Sequence, residues 1–216
     1  IMNNGVVMER EDGTPQGGPL SPLLTNLLLD EVDWKLAKRG LKFVRYADDL
    51  NVYAGSTRGG ERAMRTLEKI FSGLKLKINA KKSAVGNVCE RKFLGFRFWI
   101  GPKESLKYAV APKSIKTFKD KVRKLTRRNC GRSLEQVIER LSGYLSGWKN
   151  YFQLAETPGV FRNLDSWVRR RLRMLKLRQW KRGTTAYREL KGLGLSSRLA
   201  ASVAASQRSY WHAAGT

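Results

Sequence analysis

A chain of 216 residues, 41% hydrophobic and with six Trp, is long enough to bury one large core or two small ones. Its 43 Lys and Arg stand against 18 Asp and Glu, a formal charge of +25, and that self-repulsion points to a polyanionic partner. There is no apolar run of transmembrane length and no signal-peptide pattern; Cys89 and Cys130 make neither a disulfide framework nor a zinc spacing, and a lone His212 speaks against His-rich metal sites and a Ser-His-Asp triad.

The charge is uneven. Residues 1–112 carry 19 bases and 12 acids, a net +7, whereas residues 113–216 carry 24 and 6, a net +18. Cysteine usage fits a reducing compartment. In chain order, Ile1 to Arg10 reads as the end of a strand, and Glu11-Asp12-Gly13 as a turn. Gly13-Thr14-Pro15-Gln16-Gly17-Gly18-Pro19 forces a defined loop, either an ordinary connector or a place where backbone approaches a ligand closely. Ser21-Pro22 then reads as an N-cap and first-turn proline, opening a helix that buries Leu24, Leu27, Leu28, Val32 and Leu36 and closes at Gly40.

Leu41 to Tyr53 is β-prone except for Asp48-Asp49-Leu50-Asn51 at its middle, which predicts a hairpin with two acids at its tip. A second helix is expected over about Gly60 to Gly73, with Ala63, Leu67, Ile70 and Phe71 inside. Leu74 to Asn79 alternates as a half-buried strand should, Ala80 to Ser83 is a basic turn, and strands are expected at Lys92–Trp99 and Leu106–Val110. Residues 1–112 therefore read as α+β, an antiparallel sheet backed by two helices.

Beyond Pro112 the periodicity is helical. One helix runs to about Arg128 with Ile115, Phe118, Val122 and Leu125 inside. A second, capped by Ser133, runs from Leu134 to about Leu154 and turns Val137, Leu141, Tyr144, Leu145, Trp148 and Phe152 inward. A third, from Val160 to about Trp180, buries Leu164, Trp167, Val168, Leu172 and Leu175, and two short helices over about 185–191 and 197–206 end the chain. Its remaining faces carry Arg169, Arg170, Arg171, Arg173, Lys176, Arg178, Lys181 and Arg182, eight bases in 14 residues without acidic neighbours, which suits phosphate contact better than a merely solvated face. Asp48 and Asp49 repel each other unless a cation lies between them, and a hard oxygen-seeking ion such as Mg2+ meets that need; on spacing alone a turn with water-facing acids fits equally.

Taken in order, Gly13 to Pro22, Tyr46-Ala47-Asp48-Asp49, Lys82-Ser83 and Phe93-Leu94-Gly95-Phe96 resemble the motifs of reverse transcriptases, in the form found in bacterial group II intron-encoded proteins. Leu145 to Phe152 and Leu164 to Arg173 are similar to the maturase-specific domain of that family. The resemblance implies a reverse-transcriptase palm over 1–112 and an all-α basic thumb/maturase domain over 113–216. It implies an RNA-directed DNA polymerase with a two-metal mechanism that also assists splicing of its own intron, with structured intron RNA, an RNA template with DNA primer, and dNTPs as partners, in a cytoplasmic, nucleoid-associated or ribonucleoprotein setting. Asp48 and Asp49 would hold Mg2+; Gln16, Gly17, Tyr46 and Lys82 would meet the nucleotide; Phe93, Leu94, Gly95 and Phe96 would form the primer grip; and the eight bases from Arg169 to Arg182 would contact RNA. The family also expects fingers and a third carboxylate upstream of the Gly/Pro loop. The few residues before that loop match neither, so the 216 residues alone are expected to be inactive and to need an N-terminal segment, with self-association the other option. Competing readings are a non-catalytic RNA-binding maturase or chaperone, and a reverse transcriptase of another bacterial retroelement or defence system.

Overall fold

The computed structural model describes residues 2–3, 6–7, 18–127, 129, 131–206 and 209–215. The turn expected at residues 11–13 and most of the Gly/Pro loop lie outside them. The fold is α+β, small antiparallel sheets interleaved with two helices and then a run of helices. It divides into two compact units, residues 1–93 and 94–216.

The first unit opens with a minimal antiparallel pair, β1 (Met2–Asn3) and β2 (Val6–Val7). Helix α1 spans Ser21–Lys38, with Leu20 rather than Ser21 at the N-cap and Pro22 in its first turn. Its buried stripe is Leu29, Val32 and Leu36, while Leu24, Leu27 and Leu28 are exposed, contrary to the expected stripe. The N-terminal half of α1 is apolar on nearly every side, so periodicity there does not single out a face.

Strands β3 (Lys42–Tyr46) and β4 (Asp49–Tyr53) pair in register from Lys42↔Tyr53 to Tyr46↔Asp49, as the sequence predicts. Helix α2 (Thr57–Gly73) begins three residues earlier than expected because the Ser56 hydroxyl accepts from the Gly59 amide at 3.1 Å. Leu29, Val32, Leu36 and Ile70 form the core, with Phe43, Leu50, Val52 and Leu67 packed on it. Leu74, Leu76 and Ile78 are half-buried and Lys75, Lys77 and Asn79 exposed, yet this stretch is no strand. Two-residue alternation survives, but Lys75 at φ 56° departs from extended backbone and no strand among the described residues pairs with it. Strand β5 (Lys92–Phe93) ends this unit.

In the second unit β6 (Phe96–Ile100) pairs antiparallel with β7 (Leu106–Val110), from Phe96↔Val110 to Ile100↔Leu106. The expected Lys92–Trp99 strand is thus broken at Leu94 and Gly95, whose φ values are 49° and 79°. The helices are α3 (Pro112–Leu125), α4 (Leu134–Phe152), α5 (Pro158–Gln179), α6 (Gly183–Gly192), α7 (Ser197–Ala204) and α8 (Tyr210–Ala213), the last unanticipated. Ser133 and Gln136 close a full capping box on α4.

Aromatic contacts tie the hairpin to these helices. Ring centroids lie 5.0 Å apart for Phe96–Phe152, 4.7 Å for Trp148–Phe152 and 4.6 Å for Phe118–Trp148. The Tyr151 hydroxyl donates to the Leu94 carbonyl at 2.9 Å. One core gathers Phe118, Val122, Leu141, Leu164 and Val168; another gathers Val137, Met174, Leu175, Leu177, Leu190 and Ala200.

Candidate functional site

The Tyr46-Ala47-Asp48-Asp49 turn needs only two loop residues, Ala47 and Asp48, between paired strands. Ala47 sits at φ 52°, the left-handed conformation that primed hairpin turns require of their first loop residue. An alanine there costs about 1–2 kcal/mol, so the surroundings must hold it.

Arg45 does so. On the face of β3 that packs against α1, its guanidinium donates Nε to both Asp33 oxygens at 2.9 Å and Nη2 to Oδ2 at 2.6 Å. Its Nη1 donates to Asn26 Oδ1 at 2.9 Å and to the Ala47 carbonyl at 3.0 Å. One planar fork thus joins α1 to the strained turn, and the hydrogen bonds to Asp33, ahead of charge attraction, raise the Arg45 pKa above its ordinary value. The sequence reading missed Arg45; the only available signal was a base among apolar strand residues three positions before the first acid.

Tyr46 and Asp49, directly opposed across the ladder, share the open face of the hairpin. Tyr46 is 64% exposed, so it is no core residue. Asp48 and Asp49 are both exposed, and neither makes an ion pair or side-chain hydrogen bond among the described residues. Two unengaged hard-oxygen donors on a braced turn suit Mg2+, which is commonly held by one or two carboxylates with substrate phosphates and water completing its shell. No group of three His, Cys, Asp or Glu is placed to hold a metal among the described residues.

Lys82 is exposed on the turn where the amides of Lys82 and Ser83 both reach the Asn79 carbonyl. Among the described residues no hydrogen bond or ion pair joins it to the carboxylates. Gln16 and Gly17 lie outside the described residues. Phe93 ends the first unit, and Leu94, Gly95 and Phe96 begin the second. The Gly95 carbonyl accepts from the Ala111 amide at 2.9 Å and the Ser114 hydroxyl at 3.0 Å, while a Cβ on Gly95 would stand 3.0 Å from Ser114 Oγ and 3.1 Å from Phe152 Cζ. Only glycine satisfies both that φ and that space.

The eight bases of α5 and its end are not equivalent. Arg171 donates to the buried Thr126 hydroxyl at 2.6 Å and carbonyl at 3.1 Å, closing the end of α3. Arg170 stacks over Trp211 at 4.3 Å and donates to its carbonyl. Arg178 reaches Asn129, Lys176 faces Glu135, and Arg169 pairs with Asp165 one turn earlier, an acidic neighbour the sequence reading overlooked. Arg173, Lys181 and Arg182 remain exposed and without a side-chain partner among the described residues.

Against known proteins, the pattern "Reverse transcriptase (RNA-dependent DNA polymerase)" matches residues 2–98, and "Group II intron, maturase-specific domain" matches residues 115–194. The two matches together span most of the chain, a reverse-transcriptase domain followed by a maturase-specific domain. A curated relative, the Retron Ec86 reverse transcriptase of Escherichia coli, is 33% identical over 137 residues, which cover 61% of this chain and 40% of that protein. The chain thus spans well under half the length of that relative. No helix among the described residues is long and apolar enough to cross a membrane.

Proposed function

We propose that this chain supplies the metal-binding turn and the RNA-binding helices of an RNA-directed DNA polymerase that also binds group II intron RNA and assists its splicing. The observation carrying this reading is the exposed, unengaged Asp48-Asp49 pair on a turn that Arg45 braces against α1. A surface turn with no task has no need of a strained alanine or a half-buried guanidinium fork. On this reading residues 1–112 act as palm and 113–216 as thumb and maturase, within a cytoplasmic ribonucleoprotein.

Asp48 and Asp49 hold Mg2+, which when bound lowers the pKa of the primer 3′-hydroxyl and neutralises charge on the departing pyrophosphate. Tyr46, beside Asp49 on the open face, offers a flat apolar surface to the nucleotide or primer terminus. Lys82 offers a mobile ammonium to dNTP phosphates, and Gln16 with Gly17 lines the nucleotide. Phe93 to Phe96 guide the primer strand, their geometry locked by Gly95. Arg169, Arg173, Lys181 and Arg182 present charge to RNA phosphates, whereas Arg170, Arg171 and Arg178 shape the surface that presents it.

Primer extension by the full-length protein, with and without Asp48→Asn, tests the metal role. Outer-shell partners of a metal cost about 10–100-fold when replaced, so a direct ligand is expected to cost at least the upper end of that range; unchanged extension would refute it. The match to a retron enzyme supports a second reading, a reverse transcriptase of another bacterial retroelement. Binding to a folded group II intron transcript decides between them: tight, salt-sensitive binding favours the intron, and binding no tighter than to an unrelated RNA of equal length favours the alternative.

A further inference from the structure

An open groove of about 470 Å³ lies at the end of the β3–β4 hairpin remote from the Asp48-Asp49 turn. Its cations are Arg39, Lys42 and Arg62, its apolar lining includes Leu41, Tyr53 and Ala63, and no carboxylate lines it. Lys42 and Tyr53 form the rung at this end and Tyr46 and Asp49 the rung at the other. Four residues of strand separate them by roughly 14 Å.

The groove cations have little to do within the fold. Arg39 donates to the Lys35 carbonyl at 3.0 Å, which leaves its charge uncompensated. Lys42 and Arg62 are exposed and make no ion pair or side-chain hydrogen bond among the described residues. From the groove a basic stripe continues along α2: Arg58, Arg62, Arg65 and Lys69 recur at i, i+4, i+7 and i+11, all exposed and none ion-paired among the described residues. Glu61 and Glu68 flank the stripe on one side and form no ion pair with it among the described residues, so four bases stand against two acids. The stripe runs about 16 Å along the helix.

Several like charges converging on one concavity repel each other, and that cost is recovered when a polyanion replaces the missing counter-charges. The concavity selects which polyanion. Leu41 and Tyr53 are half-buried and Ala63 buried, whereas Arg39, Lys42 and Arg62 are exposed, so charge rather than apolar surface is what the groove offers a partner, which suits a phosphate backbone better than a lipid interior. We propose that the groove and the α2 stripe bind the phosphate backbone of a structured RNA, a contact separate from both the carboxylate turn and the α5 arginines. This rests on the RNA-binding part of the proposed function.

The test is titration of a labelled, folded group II intron transcript with the full-length protein over a range of salt. The variants are Lys42→Glu/Arg62→Glu/Arg65→Glu and the milder Lys42→Ala/Arg62→Ala/Arg65→Ala. Three lost phosphate contacts should weaken binding by about tenfold or more at moderate salt and flatten the slope of log K against log salt by about 2 to 3. Photocrosslinking of the unmodified protein to the transcript should mark peptides within residues 39–69, a readout independent of how the variants fold. Unchanged affinity and slope, with no crosslinks there, while Arg173→Glu/Arg182→Glu weakens binding, would overturn the groove proposal and leave the wider reading intact. No binding by the parent protein would overturn both. Loss of binding to phosphatidylserine vesicles with RNA binding intact would reassign the groove to a membrane surface and refute the proposal.

Discussion

Replacing Arg45 with Ala separates the brace from the acids it braces. Side-chain exposure of the Arg45–Asp33 pair is 13% and 24%, so it lies between a solvated surface pair and a buried one. Exposed pairs contribute about 0–1 kcal/mol, and deleting one partner of a buried pair costs about 3–5 kcal/mol. For Arg45→Ala that brackets about 2 kcal/mol from stranding Asp33. Loss of the charged bonds to Asn26 and the Ala47 carbonyl adds about 1 kcal/mol, since water partly replaces them. The total, about 3 kcal/mol, acts locally on β3, β4 and the turn. Native-state amide exchange over residues 42–53 should report it as a drop in opening free energy of that size, with amides of α4 and α5 unchanged. If the proposed polymerase role holds, primer extension by the full-length protein should show a lower kcat and a higher Mg2+ requirement, with KM for template–primer nearly constant, because the carboxylates are intact but less well held. Arg45→Lys should recover only part, since an ammonium cannot span Asp33, Asn26 and Ala47 together. Exchange within about 0.5 kcal/mol of the parent, the range of an ordinary surface substitution, would refute the brace.

Gly95→Ala combines a left-handed φ with a Cβ pressed on Ser114 and Phe152, and should destabilise the second unit by about 2–4 kcal/mol in urea titration. Thr126→Val removes the hydroxyl that receives Arg171 and should cost about 1–3 kcal/mol, whereas Arg173→Ala should leave stability within about 0.5 kcal/mol while weakening RNA binding. The Glu135 carboxyl is held below the usual range by a hydrogen bond from its own backbone amide, then by the Ser133 hydroxyl. The stability it lends the first turn of α4 is present above its unfolded value of about 4.3 and lost as pH falls through the lowered one. Glu135→Gln should abolish that acid-side change in helicity, and a circular-dichroism titration from neutral to acid pH would show it.

Much was legible because it is encoded locally. The hairpin follows from β-prone residues on either side of Asp48-Asp49, and the register Lys42↔Tyr53 needs only a two-residue loop. Helices α3, α4 and α5 follow from apolar spacing, and Ser133 with Gln136 announces its own cap. Failures came where one local pattern served two structures. Leu74 to Asn79 alternates like a strand, but a strand needs a neighbour to pair with. The leucines of α1 repeat on several faces, and only the position of Ile70 and Phe43 decides that Leu29, Val32 and Leu36 are the buried ones.

The site divides the same way. Order and residue type along the chain determine that two carboxylates share one turn, that an aromatic precedes them and that a strongly basic helix follows. Tertiary structure alone decides which charges are at liberty. Arg45, Arg170 and Arg171 look like other bases in the sequence, yet each spends its guanidinium on a partner 12 to 45 residues away: Asp33, the Trp211 carbonyl and Thr126. Charge belongs to the residue, but a hydrogen-bond partner belongs to the fold, so only the three-dimensional structure separates the arginines that build the surface from those left exposed on it.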